Sequence, residues 1–317
     1  MLTVSGAEIS TQDRSVIKKM AFHRDPNLWL RSNLVQLPFL AAAALGSYWV
    51  FQQDKPWTMW PWLVLVFLLT QLNFYVVLAA ALATLAWGIR DPQIQMSLVP
   101  FLFLPATYYV SIHVAVLMHN AAHINFRPRW LNRAIGEICG FLQGMGFLGW
   151  RAAHGIHHQC PDDSFWDVHP PLREPFWKFL GQMKVMIVKG LGRNYRWAFG
   201  DVPATRRRWG ITVASVGAAN YLRFLTVFMI LGPANFIAFF LPFLLFHLLF
   251  YAHFNYFTHR PAGEGQYEIL NVDHGLYKLH NRLFLSPFFH KTHHLKPFLI
   301  NPGRTSLHRS ALSHRHA

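Results

Sequence analysis

Residues 209–259 read WGITVASVGAANYLRFLTVFMILGPANFIAFFLPFLLFHLLFYAHFNYFTH. Two apolar runs, Trp209–Leu231 and Pro233–Phe257, follow each other in this stretch. Each is long enough to cross a hydrocarbon core about 30 Å thick, which takes about 20 helical residues. Only a helix or a closed barrel satisfies its own backbone in lipid, and these runs are continuous rather than alternating. The two runs would form a hairpin that leaves one side of the membrane and returns to it. Arg223 and Asn220 inside the first run require partners, because an unpaired charge in a span is costly. The hairpin therefore predicts an all-α fold, an integral-membrane helical bundle.

The rest of the chain extends this reading. Three further apolar stretches, Leu34–Phe51, Pro61–Trp87 and Ser97–Met118, are of spanning or near-spanning length, and Trp49, Trp57, Trp60, Trp62 and Trp87 lie where interfaces are expected. Charged residues are only 14% of the 317, against about 25% in soluble domains. Lys and Arg number 29 and Asp and Glu 14, a net charge of +15. With this apolar content the excess points to anionic membrane lipid or an acidic protein partner, and no nucleic acid is expected. Cys139 and Cys160 form no C-x-x-C pair, and the polar start of the chain has no signal-peptide core. The expected organisation is a polar N-terminal cytosolic segment (1–33), a membrane domain (34–302) and a disordered basic tail (303–317) whose His308, His314 and His316 are solvated.

Charge sets the orientation. His119 to Arg208 contains Arg127, Arg129, Arg133, Arg151 and Arg206-Arg207-Arg208, and the region from Arg260 onward is also basic. Both belong in the cytoplasm by the positive-inside rule, as a cytosolic helical cap, with a bacterial inner membrane the expected location. Arg14, Lys18, Lys19, Arg24 and Arg31 place the N-terminus on the same side. Three full spans would then leave His119 on the wrong face. One stretch must be partial or re-entrant, or hide an extra pass, and the expectation falls on Leu34–Phe51, interrupted by Pro38, or on the stretch broken by Pro100 and Pro105. Phe176–Val188 reads as an amphipathic helix, either on the membrane surface or within the cap.

The 19 histidines are grouped. His119 and His123 (HNAAH) are four apart, on one helical face. His154, His157 and His158 (HGIHH) recur as His290, His293 and His294 (HKTHH), with offsets of three and four that again share a face. Asn255 and His259 close the fifth stretch as N-x-x-x-H. A structural zinc takes four ligands, so nine imidazoles point to two metals with room for an exogenous ligand, and Asn255 would hold a metal-bound water. Imidazole suits iron, zinc, copper and nickel. Asp162, Asp163, Asp167 and Asp273 are candidates for orienting imidazoles through their free N–H. Phe147, Trp150, Phe165 and Trp166 are candidates to line a substrate channel, and Arg151 or Lys291 to hold a head group.

HNAAH, HGIHH and HKTHH resemble the three histidine boxes of the membrane fatty-acid desaturase and hydroxylase superfamily, and Asn255/His259 resembles an Asn-x-x-x-His that acyl-CoA desaturases and alkane hydroxylases carry before the last box. The resemblance covers roughly Leu34 to Pro302. It implies a mushroom-shaped helical fold, two Fe ions as cofactor held by His119, His123, His154, His157, His158, His259, His290, His293 and His294, and O2 as co-substrate. It also implies a fatty acid or acyl-lipid substrate and external electrons. No His-Pro-Gly-Gly haem signature is present, so the electrons would come from an acidic donor such as ferredoxin or rubredoxin with its reductase, docked on the basic cap. Desaturation is the expected outcome, with hydroxylation or oxidative decarboxylation to a terminal alkene as alternatives; the string NYFTH resembles the decarboxylase branch. The competing class is a membrane metal transporter, which would place polar ligands in the middle of broken spans.

Overall fold

The computed structural model describes residues 25–51, 60–71, 74–94, 96–171, 174–263 and 266–304. Most of the polar N-terminal segment, Trp57, and the tail with His308, His314 and His316 lie outside the described residues. Three helical stretches are long and apolar enough to cross a membrane: Leu28–Val50, Val99–Ala122 and Pro203–Thr258.

The last of these is the hairpin. Its 56 residues would reach about 84 Å as one straight helix, far more than a bilayer. Helix α8 (Pro203–Asn235) instead breaks at Gly232, whose φ of 70° is costly for any residue with a Cβ. The chain returns through a π-turn (Phe236–Phe240) into α9 (Leu241–Thr258). The Phe236 ring comes to 4.8 Å from Phe224 and 5.4 Å from Phe228, as close packing across the bend requires. Arg223 is buried within α8 and is accommodated by neutral partners: Nη1 donates to Asn220 Oδ1 and Nη2 to Gln36 Oε1 of α1 (Leu28–Val50). Helix α1 runs parallel to α8, with Trp29 against Trp209, Asn33 bonded to Ser215, and Gln36 to Arg223.

The second apolar stretch, Pro61–Trp87, is not a single helix. It forms two antiparallel helices, α2 (Trp60–Thr70) and α3 (Phe74–Arg90), with Trp62 and Trp87 in ring contact at 5.6 Å. Helix α4 (Leu104–Ala122) follows, entered through a 3₁₀ turn (Val99–Phe103). The extra pass therefore lies in Pro61–Trp87. It is in neither of the two stretches singled out for their prolines: α1 carries Pro38 internally, and Pro105 sits in the first turn of α4, where a missing N–H costs nothing. Among the described residues, α1 to α4 make four helices up to the corner at His123, an even number, so the N-terminus of α1 and the C-terminus of α4 share one end of the bundle.

That end carries the cap. It comprises α5 (Trp130–Leu142), α6 (Phe147–Gln159), α7 (Phe176–Phe199), an antiparallel hairpin of β1 (His259–Gly263) and β2 (Gln266–Ile269), α10 (Gly275–Leu283) and α11 (His290–Leu295). Helix α7 is longer than its amphipathic N-terminal half predicts. It buries Phe179, Leu180 and Met183 against Val77 and Leu248 and leaves Trp177 and Val188 exposed, as a helix between bundle and surface would.

Candidate metal centre

Each histidine is delivered by a helix end. Helix α4 brings His119 in its last turn and stops at His123; the next residue, Ile124, has a φ of 60°, a strained value for a β-branched side chain. Asn125 holds this corner, its Nδ2 donating to Asn120 Oδ1 and Pro297 O. Helix α6 buries Ala153 and Ile156 and presents His154, His157 and His158. Helix α11 has only six residues and is fastened from outside. The Asn271 amide donates to Thr292 Oγ1 and accepts from the Thr292 N–H, while the Lys291 N–H donates to Leu270 O. Leu270 in turn donates to Thr258 O, and this chain of bonds sets α11 beside His259, the first residue after α9.

The nine box histidines converge as two groups. His119, His123, His154, His158 and His293 form one; His157, His259, His290 and His294 form the other; in each, the nearest ring nitrogens all lie within 4.8 Å of one another. Helical angles explain the partition. At 100° per residue, residues four apart diverge by about 40°, and a residue three along falls on the other side of the first. So His154 and His158 point one way and His157 the other. In α11 the same rule sends His290 and His294 to the second group and His293 to the first.

The geometry fits metal ions. His293 Nε2 stands 2.8 Å from His119 Nε2 and 3.0 Å from His158 Nε2. His290 Nε2 stands 2.9 Å from His259 Nε2 and 3.0 Å from His294 Nε2, and His123 Nε2 is 2.7 Å from His154 Nε2. A neutral imidazole nitrogen carries either one proton or one in-plane lone pair, so the nitrogen at the middle of each triplet cannot make two good N–H···N bonds. Ligands about 2.1 Å from a common ion and at right angles stand about 3.0 Å apart, which matches the observed spacings. His157 Nε2 is buried without a hydrogen-bond partner and faces the group of His259, His290 and His294.

Electrostatics separate the two groups. His157 Nδ1 lies 2.7 Å from Asp167 Oδ2, and His259 Nδ1 is bonded to Asp162 Oδ2. The four-histidine group thus has two buried carboxylates behind it, and the five-histidine group has none among the described residues. Burial pushes His154 and His293 well down, lowers His123 to about 4 with help from the Arg151 charge, and takes His294 to about 2. Neutral rings with free lone pairs result. His157 is the exception: burial would lower it, but the Asp167 charge and bond, aided by Asp162, outweigh burial and raise it.

Of the other sequence candidates, Asp162 and Asp167 bond to imidazoles. Asp163 Oδ1 accepts the Phe165 and Trp166 N–H groups, and Asp273 accepts from Asn281 Nδ2. Trp150 belongs to the site, stacked on His154 at 4.7 Å. Phe147 is fully buried core, Phe165 lies under Arg193 and Trp166 packs on Trp197, so these three have packing roles. Lys291 reaches Glu268 at the surface. Asn255 is buried on α9 one turn before His259. Sequence reasoning missed His169, which is buried with its backbone N–H donating to Asp167 and its ring 4.9 Å from His157. Belonging to no box, it was legible only as the third residue of Asp167-Val168-His169.

A helical membrane bundle capped by two histidine clusters defines the class. The chain belongs to the fatty acid desaturase family, whose pattern matches residues 93–317. It matches no curated protein and no solved structure. Membership makes it an oxidoreductase of fatty acid metabolism acting on fatty acyl substrates, in a family that uses iron.

Proposed function

We propose that the protein is a non-haem di-iron oxidase that uses O2 and external electrons to oxidise a C–H bond of a fatty acyl chain, with desaturation as the outcome and the cap on the cytoplasmic side. The observation that carries this reading is the convergence of nine box histidines as five and four. His119, His123, His154, His158 and His293 would hold one iron and His157, His259, His290 and His294 the other. Bound iron would supply oxygen activation and hydrogen abstraction from an unactivated carbon.

The chain's own residues do the rest. Asp162 and Asp167 fix the tautomers of His259 and His157, so that each presents Nε2. Asn255, one turn from His259, would hold a metal-bound water through its amide. An apolar cavity walled by Ala115, Val116, Phe250 and Phe254 ends on His119 and His293. That cavity holds only ≈ 30 Å³, but Phe250 also lines a neighbouring aromatic cleft of ≈ 630 Å³, whose apolar wall suits an acyl chain. The basic cap suits an acidic electron donor.

The test pairs metal analysis with product analysis. Purified protein should contain two irons per chain. Membranes supplied with fatty acids, reductase and ferredoxin should give oxygen-dependent internal alkenes by mass spectrometry; alcohols or chain-shortened terminal alkenes would reassign the outcome. One zinc per chain without oxidised product would overturn the reading.

A further inference from the structure

Away from the histidines, the bundle contains a second polar site. A cavity of ≈ 90 Å³ lies between α2, α7, α8, α9 and the turn after α5. Much of its wall is apolar, including Phe67, Phe224 and Leu248, but Lys184, Gln143, Asn220 and His247 also face it. Gln143 is 4% exposed and His247 2% exposed. Neither polar atom of the Gln143 side chain has a hydrogen-bond partner, nor does His247 Nδ1. Lys184 Nζ donates to Thr70 O at the end of α2. Nearby, the buried Arg223 donates to Asn220 and Gln36.

The charges do not balance. Among the described residues, no carboxylate lies within ion-pair distance of Lys184 or Arg223. Glu137, which bears on Arg223 from farther off, is paired with Arg133. Burying a cation and an amide without an anion is costly. Burial holds the Lys184 ammonium at about 8, so it remains mainly protonated at neutral pH. An ammonium and a primary amide facing one cavity match a carboxylate, and the cavity has about the room of three waters.

The site also leads toward the metals. The His247 ring lies 4.6 Å from Tyr251, Tyr251 is 5.9 Å from Trp150, and Trp150 stacks on His154 at 4.7 Å. Two aromatic side chains therefore separate the polar cavity from the five-histidine group.

We propose that the Lys184–Gln143 cavity, two aromatic side chains away from the five-histidine group, binds the carboxylate of a free fatty acid. This rests on the fatty-acyl oxidase reading and deepens it. It makes the free acid the substrate and puts a carbon within the chain, not one beside the carboxylate, against the metal cluster.

The test is equilibrium binding to purified full-length protein, with iron content measured on the same samples. The probes are radiolabelled palmitate, its methyl ester and palmitoyl-CoA. The acid should bind at least tenfold more tightly than the ester or the thioester. Lys184→Met should weaken acid binding at least tenfold and Gln143→Leu severalfold, at unchanged iron content, while Lys184→Arg retains it. Equal affinity for acid and ester in the wild type would overturn the proposal. So would wild-type acid binding in both Lys184→Met and Gln143→Leu. Protein that lacks iron yet binds the acid through Lys184 would refute the di-iron reading and leave the carboxylate site standing.

Discussion

Replacing Asp167 by Asn isolates the asymmetry between the two histidine groups. The carboxylate is buried beside His157 Nδ1, and it also accepts the Asp162 and His169 backbone N–H groups. Burial acts to raise its pKa, but His157 and then His169 more than offset that and hold it well below the carboxylate range. It is therefore an anion at any working pH. Asn keeps the shape and an acceptor oxygen while removing the charge. Loss of a carboxylate behind a ligand imidazole costs about 10–100-fold in metal affinity, which is about 1.4–2.8 kcal/mol. Because Asp167 touches His157 and no member of the five-histidine group, the loss should fall on one ion. Chelator titration of the variant should show one iron released 10–100-fold more readily and the other as in wild type. If both ions are lost together, or neither is affected, the two-centre assignment is refuted.

The metal-free protein should lose stability as pH falls below about 6.5. His154, His290, His293 and His294 have folded pKa values lowered by burial, so the unfolded chain takes up protons that the folded one refuses; a melting temperature unchanged between pH 8 and 5 would contradict this. Gly190→Ala should weaken metal binding without altering a ligand, because its Cβ would meet Val168 Cα at 2.8 Å and displace the loop carrying Asp167. Overpacking of this kind costs about 1–3 kcal/mol, and thermal unfolding together with iron content reads it. His119→Ala and His294→Ala should each remove a different iron, leaving roughly half the metal; Mössbauer spectra that change identically in the two variants would show the sites are not separate.

The membrane hairpin and the histidine faces were legible because both follow from periodicity. An apolar run of about 20 residues has one stable solution in lipid, and offsets of three and four define a helical face. The break inside Pro61–Trp87 was not read from the sequence, although Thr70, Gln71 and Asn73 interrupt the apolar run there, because three polar residues without Gly or Pro barely lower the hydropathy of a 27-residue stretch. Packing, with Trp62 against Trp87 and Lys184 reaching Thr70, fixes the two helices as a pair.

The same division holds at the site. Sequence by itself determined which nine histidines would gather, because each box is a short-range pattern on one element. It did not determine which of the two groups each would join, or that Asp162 and Asp167 would stand behind His259 and His157. Those choices depend on where α6 and α11 meet, and that is set by bonds such as Asn271 to Thr292 and by the hairpin that places His259. Nor did it show that Lys184, read as one face of an amphipathic helix, would meet Gln143 and His247 in a single cavity. Residues 41 and 63 positions away from it in the chain share that cavity only because the tertiary fold closes around it.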